Sequence, residues 1–197
     1  MTAVEHALYG LLWLSFGLGH SLLAHPPVRR RIAARVGPAE RLTYNAIAGV
    51  HIAVVLGLGW ALDDGGAWDL PIWLRLVQGA LALAGVAVLV AGMRGYDAGR
   101  FLGTWQLRHG VGPEGDDDSE GLATGGLHRY VRHPLYSGAM ALLWGLAQSD
   151  FGLATAIWGT LYFWIGSRFE ERKLLRRFGA AYATYRARVP AFVPWKL

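Results

Sequence analysis

The chain has 197 residues, enough for one compact domain and too few for two comfortable ones, with 53% hydrophobic and only 17% charged residues. An ordinary soluble domain carries about a quarter charged residues, so that class is excluded, and the lack of any cysteine excludes disulfides, thiolate metal sites and a cysteine nucleophile. The formal charge of +5 could suggest nucleic acid, but in so apolar a chain its placement reports membrane topology, and no nucleic-acid partner is expected.

Five apolar stretches follow one another, and a bilayer core of about 30 Å needs roughly 20 helical residues to cross. The first, 7–24, contains no Lys, Arg, Asp or Glu and carries His20 near its end. A secretory signal is the competing reading, but Glu5 and His6 stand where a basic leader region belongs. A basic loop with Arg29, Arg30, Arg31, Arg35 and Arg41 leads to the second stretch, 45–62, with His51 about two turns in. Asp63, Asp64 and Asp69 precede the third, 72–93, which has Arg75 and Gln78 near its start. The next loop opens with Arg94, Arg100 and Arg108 and turns polar between Gly110 and Gly126, with Pro113, Glu114, Asp116, Asp117, Asp118, Ser119 and Glu120. Such an acidic run is a solvated face without chemistry of its own. Stretches 135–148 and 151–166 are short, divided only by Ser149 and Asp150, and read as a helical hairpin that borrows flanking residues.

Every basic loop falls on one side of a five-span arrangement, including Arg129 and Arg132 before the fourth span and Arg168, Arg172, Lys173, Arg176 and Arg177 after the fifth. That places the N-terminus outside a bacterial-type inner membrane and the C-terminus in the cytoplasm. A buried soluble helix explains any one stretch, but not five with so few charges between their ends. The expected fold is all-α: an integral membrane helical bundle of about five transmembrane helices with a C-terminal juxtamembrane helix, forming one domain over 1–197. Three spans occupy 1–93, a cytoplasmic loop 94–134, the hairpin 135–167, and the C-terminal helix and tail 168–197.

Two cytoplasm-facing segments carry chemistry. In Gly125-Gly126-Leu127-His128-Arg129-Tyr130-Val131-Arg132-His133-Pro134-Leu135-Tyr136-Ser137-Gly138, glycines, cations and tyrosines crowd the mouth of the fourth span. Pro134 suits a helix start, and the unpaired N–H groups there suit a carboxylate ligand. A basic surface anchor with interfacial tyrosines accounts for the same residues. In the second segment, at 100° per residue, Arg172, Lys173, Arg176 and Arg177 share one arc, while Glu170, Glu171, Leu174, Leu175, Phe178, Tyr182 and Tyr185 share the other. Two carboxylates on an apolar arc need a partner or a ligand. Either they pair with Arg129 or Arg132, or they grip ribose hydroxyls or offset a cationic sulfonium.

Arg-His-Pro-Leu-Tyr-Ser-Gly, then Glu-Glu-Arg-Lys-Leu-Leu, Phe-Gly, Tyr-Ala-Thr-Tyr and Val-Pro-Ala-Phe-Val-Pro, over 122–195, resembles the isoprenylcysteine carboxyl methyltransferase and phospholipid methyltransferase superfamily. The resemblance implies S-adenosylmethionine as cofactor, lined by His133, Pro134, Leu135 and Tyr136 with Glu170 and Glu171 opposite, and with Arg129, Tyr130, Arg132, Tyr182 and Tyr185 as further candidates. His128 departs from the tyrosine common in that superfamily. Gly19-His20-Ser21-Leu22-Leu23-Ala24, Arg41-Leu42-Thr43-Tyr44-Asn45 and Trp60 resemble the start of methanethiol S-methyltransferases and of NnrU-like membrane proteins.

Methyl transfer from a sulfonium requires alignment of acceptor and methyl carbon and exclusion of water. A thiol or amine acceptor must also lose a proton, for which His20 and His51 are the catalytic candidates; the alternative is that each hydrogen-bonds a neighbouring helix. The expected activity is methylation of a small-molecule or lipophilic acceptor, a thiol before a prenylcysteine carboxyl or a phospholipid amine. Membrane lipids are the expected surroundings, with no metal and no protein partner. The rival from another class is haem ligation by His20, His25 and His51; a third is a scaffold without catalysis.

Overall fold

A computed structural model describes residues 1–112 and 121–195. The acidic run from Pro113 to Glu120 lies outside the described residues. Eight α-helices occur among them: α1 (Ala3–Leu23), α2 (Pro26–Val36), α3 (Glu40–Ala61), α4 (Ile72–Met93), α5 (Ala98–Leu102), α6 (Thr104–His109), α7 (Pro134–Gly145) and α8 (Asp150–Arg188). No strand occurs among the described residues, so the all-α expectation holds. The helices fall into two compact units, Met1–Asp64 with the stretch beginning at Tyr96, and Gly65–Gly95 with the stretch beginning at Gly121.

In the first unit, α1 starts where Thr2 and Glu5 cap each other's backbone N–H groups (2.6 and 3.3 Å). Its buried side carries Tyr9, Trp13 and Phe16, stacked edge to face. They pack on α3, where Gly59 makes room: a Cβ there would lie 2.2 Å from the Tyr9 ring. The basic loop expected between the first two spans is in part the helix α2. Pro26 and Pro27 occupy its first turn, where a missing N–H costs nothing, and Gly37, at φ +59°, ends it. The fork of Arg29 grips Glu40, which is almost fully buried, at 2.9 and 3.0 Å. Asn45 Nδ2 donates to the Phe101 and Leu102 carbonyls (2.9 and 3.1 Å), tying α5 to α3.

In the second unit, α4 and α7 run antiparallel with their backbones in contact. A Cβ at Gly85 would come within 2.5 Å of Leu142 N, and one at Gly145 within 2.4 Å of Ala82 N. Close approach over small residues is how helices associate in lipid, where burying apolar surface supplies little drive. Leu135 sits against Gly92 at one end of this pair, and Gln78 Nε2 donates to the Ala147 carbonyl (2.8 Å) at the other. There the side chain of Ser149 caps Gly152 N (3.0 Å), Asp150 accepts from Trp68 Nε1 (3.2 Å), and α8 begins.

The separate span and juxtamembrane helix expected after residue 150 are one element of 39 residues. Its backbone breaks at Gly179 (φ +53°, ψ −124°), a left-handed conformation that glycine adopts without strain. The single arc expected to carry Tyr182 and Tyr185 alongside the glutamates therefore stops at Phe178. Among the described residues, two helical stretches, Pro26–Ala61 and Ile72–Met93, are long and apolar enough to cross a membrane, against the five expected. With 12 residues, α7 extends about 18 Å, well short of a hydrocarbon core. Tyr9, Trp13, Ser15 and His20 dilute α1, and threonines and glycines dilute the first half of α8.

Candidate functional site

His133 is the residue before α7, with Pro134 opening the helix behind it. The backbone around it is held by the chain's last described segment. Arg132 N donates to Pro190 O at 2.9 Å, His133 N to Ala191 O at 3.0 Å, and the Ser137 hydroxyl to Phe192 O at 2.8 Å. The imidazole is 5% exposed. It stacks on Tyr136 (5.3 Å between centroids, 7° between planes) and lies 5.6 Å from the Phe192 ring. Its two nitrogens face the two glutamates of α8: Nε2 is 3.1 Å from Glu171 Oε1, and Nδ1 is 3.5 Å from Glu170 Oε2. Segments nearly forty positions apart in the chain thus meet on one ring.

The two glutamates differ in their surroundings. Glu171 is closed: its side chain is 7% exposed, and its Oε1 accepts from Arg132 Nε (2.9 Å) and Nη2 (2.6 Å) as well as facing His133. Arg132 in turn donates to the carbonyls of Val189 and Arg186. The salt bridge read as one alternative for this carboxylate pair is therefore present for Glu171 with Arg132. Glu170 is open: its side chain is 47% exposed. Burial works against the charge of both. For Glu170 the hydrogen bonds from His133 and Tyr136 and the charge of Lys173 outweigh it; for Glu171 those from Arg132 and His133 do so. Both carboxyls are held below the usual carboxylate range.

The remaining candidates divide. Tyr182 is 1% exposed, and its hydroxyl lies near the Arg132 guanidinium without a hydrogen bond of acceptable geometry among the described residues. Burial, reinforced by the charge of Glu171, pushes that hydroxyl up to about 12. Tyr185 donates to the His128 carbonyl at 2.6 Å, and burial lowers the His128 imidazole. Pro134 is fully buried and Leu135 fills the space beside Gly92, so both pack the start of α7. The Arg129 guanidinium lies 5.6 Å from the centre of the Tyr130 ring; both residues are exposed, and neither pairs with the glutamates among the described residues.

His20 and His51 lie in the other unit, each satisfied by a hydroxyl on the facing helix. Tyr44 of α3 hydrogen-bonds His20 Nε2, and Ser15 of α1 lies 3.1 Å from His51 Nε2. Phe16 touches both rings, at 5.6 Å from His20 and 5.5 Å from His51. This is the helix-bridging alternative raised for them above. His25 is exposed at the start of α2. No group of three or more potential metal-ligating side chains occurs among the described residues.

Sequence reasoning missed the parts played by Ser137 and by Val189 to Phe192. The sequence offered one signal: two prolines, Pro190 and Pro194, end the helical pattern with the apolar Ala191, Phe192 and Val193 between them, as a segment that lies down on its own protein does.

The chain has clear relatives. The model of the family described as NnrU protein matches residues 8–148. A methanethiol S-methyltransferase 2 from Bradyrhizobium diazoefficiens is 31% identical across 96% of this chain and 74% of its own length. Proteins named methanethiol S-methyltransferase from Mycobacterium tuberculosis and Pseudomonas deceptionensis are 30% and 27% identical, across 91% and 93% of this chain and 74% and 71% of theirs. No solved structure matches the chain. With a family match that takes in His20 and His51 of the first unit and the Arg132-His133-Pro134 turn of the second, the chain belongs to the NnrU protein family and is homologous over nearly its whole length to proteins named methanethiol S-methyltransferase.

Proposed function

We propose that this chain is a membrane-embedded methyltransferase that uses S-adenosylmethionine and methylates a small or lipophilic acceptor, a thiol in preference to a prenylcysteine carboxyl or a phospholipid amine. One observation carries the reading: Glu171 is consumed by Arg132, whereas Glu170 stays half exposed beside a stacked His133–Tyr136 pair. The residues fit the ligand's chemistry. An open carboxylate, an acceptor only, suits ribose hydroxyls or a cationic sulfur. Tyr136, part-exposed where it stacks on the buried imidazole, is the ring that can meet adenine or the cation. The buried Tyr182 hydroxyl, beside the Arg132 guanidinium, makes no hydrogen bond of acceptable geometry among the described residues, and such groups are usually satisfied. When bound, S-adenosylmethionine supplies an electrophilic methyl group. The chain's own residues hold and orient: Arg132 fixes Glu171, Glu171 and Glu170 fix the imidazole, and the imidazole fixes Tyr136.

The thiol preference rests on the relatives' names. Membrane embedding rests on α3 and α4 and on the small-residue contacts of α7. From Asp150 to Glu171, α8 advances about 30 Å, the depth of a hydrocarbon core, and so separates the acidic end holding Asp69 and Asp150 from the end holding Arg129, Arg132 and the glutamates. That pattern supports the five-crossing path with its N-terminus outside. The chain contains no cysteine, so single-cysteine labelling reads this directly: Arg177→Cys should react from the cytoplasmic face and Ser149→Cys from the other, and the reverse would overturn the orientation.

The activity is tested by incubating purified protein with labelled S-adenosylmethionine and, separately, methanethiol, a prenylcysteine analogue and phosphatidylethanolamine. Label in dimethyl sulfide is the expected result. Label in the ester or the amine would change the acceptor; no transfer, no binding and a Soret band would replace the reading with haem ligation by the N-terminal histidines.

A further inference from the structure

We infer that the segment Val189 to Phe192 is a positioning strap for the candidate site, locked by Ser137, and that S-adenosylmethionine affinity depends on it. The inference rests on the methyl-donor reading above and adds residues that reading does not use.

The segment touches the Arg132–Ser137 turn at every level. The carbonyls of Pro190 and Ala191 accept the Arg132 and His133 N–H groups, two donors ahead of α7 that have no partner within that helix. The Val189 carbonyl accepts from Arg132 Nη1, on the same guanidinium that closes Glu171. The Ser137 hydroxyl reaches both the His133 carbonyl (3.0 Å) and the Phe192 carbonyl (2.8 Å), so one side chain joins the helix start to the strap. Phe192 adds a second ring to the imidazole's surroundings, at 5.6 Å and 35°. Pro190 is buried and offers no N–H, so this stretch lies against the protein without continuing α8.

The consequence concerns orientation rather than overall stability. The His133 ring is set by stacking on Tyr136, by two carboxylates and by the strap. Loosening the strap leaves the α4–α7 contact at Gly85 and Gly145 intact but frees the imidazole to turn, and Glu170 loses its fixed neighbour. Ser137 and Phe192 are therefore positioning residues, acting through His133.

The test uses the full chain with Ser137→Ala, Ser137→Thr and Phe192→Ala, and reads two quantities. Amide hydrogen exchange reports the strap without any ligand: Arg132 and His133 amides should be protected in the wild type and exchange about tenfold faster in Ser137→Ala and Phe192→Ala, with amides of α4 unchanged. Calorimetric affinity for S-adenosylmethionine should fall about tenfold in the same two variants and return in Ser137→Thr, while kcat at saturating donor stays near wild type. Unprotected Arg132 and His133 amides in the wild type, or loss of protection with wild-type affinity, would overturn the strap. A wild-type protein that protects these amides yet binds no S-adenosylmethionine would overturn the methyl-donor reading and with it the dependence of donor affinity on the strap.

Discussion

Each of the two units holds histidines between helices, but the partners differ. In the first, His20 and His51 meet the hydroxyls of Tyr44 and Ser15 around Phe16. In the second, His133 meets two carboxylates and, through one of them, a guanidinium. A hydroxyl can donate or accept, so it satisfies an imidazole without leaving charge behind. A carboxylate only accepts, and Glu170 keeps surface to spare. The first arrangement joins helices through neutral hydroxyls; the second joins helices through Glu171 and retains one charged, half-exposed carboxylate at Glu170. On the proposed reading, a carboxylate with surface to spare is what sets His133 apart from His20 and His51.

The largest effect is expected at Glu171. Replacing it with Gln strands Arg132 beside His133, and breaking a buried pair costs about 3–5 kcal/mol. A clear fall in thermal midpoint is expected, read by differential scanning fluorimetry in detergent; an unchanged midpoint would deny the closed role. Glu170→Gln should leave that midpoint within about 0.5 kcal/mol of wild type in stability, because the side chain is half exposed.

A pH scan sharpens the same point. Tyr182 has its hydroxyl raised from 10.0 to about 12. A raised folded value means that the folded state holds the proton longer, so stability is intact below 10 and declines as pH rises towards 12. Tyr182→Phe should remove that alkaline decline, measured as thermal midpoint against pH. On the acid side both glutamates are lowered, so their contribution is full at neutral pH and fades only as pH falls through their depressed folded values.

The smallest effect belongs to the first unit. His51→Asn removes a hydrogen bond to Ser15, at a cost of about 1 kcal/mol. Donor affinity should not move in this variant. A donor affinity that collapsed would make His51 part of the site after all.

Much of the helix plan was legible in the sequence, and the reasons are local. The stretch 72–93 was read to the residue because Pro71 precedes it and, after Arg75 and Gln78, its apolar run is unbroken up to Arg94. The start of α7 was legible from Pro134, and the break before α8 from Ser149 and Asp150, although the cap made by Ser149 was not read. The helix α2 was hidden because arginines, counted there for topology, also fill its surface. The break at Gly179 was hidden because one glycine inside a helical pattern does not reveal its φ. At the site, the meeting of the Arg132-His133-Pro134 turn with Glu170 and Glu171 followed from recognised motifs. The division of labour between the glutamates did not. They are neighbours on one arc, and only the register of α8 against Arg132 decides which is closed.

The most direct measurement is calorimetric titration of S-adenosylmethionine into wild-type protein, Glu170→Gln and His51→Asn under one set of conditions. Wild type and His51→Asn should bind alike, and Glu170→Gln at least about tenfold more weakly, the scale of a hydrogen bond to a charged group. Wild-type affinity in Glu170→Gln, or its loss in His51→Asn alone, would contradict the assignment of the donor site to the open carboxylate beside His133.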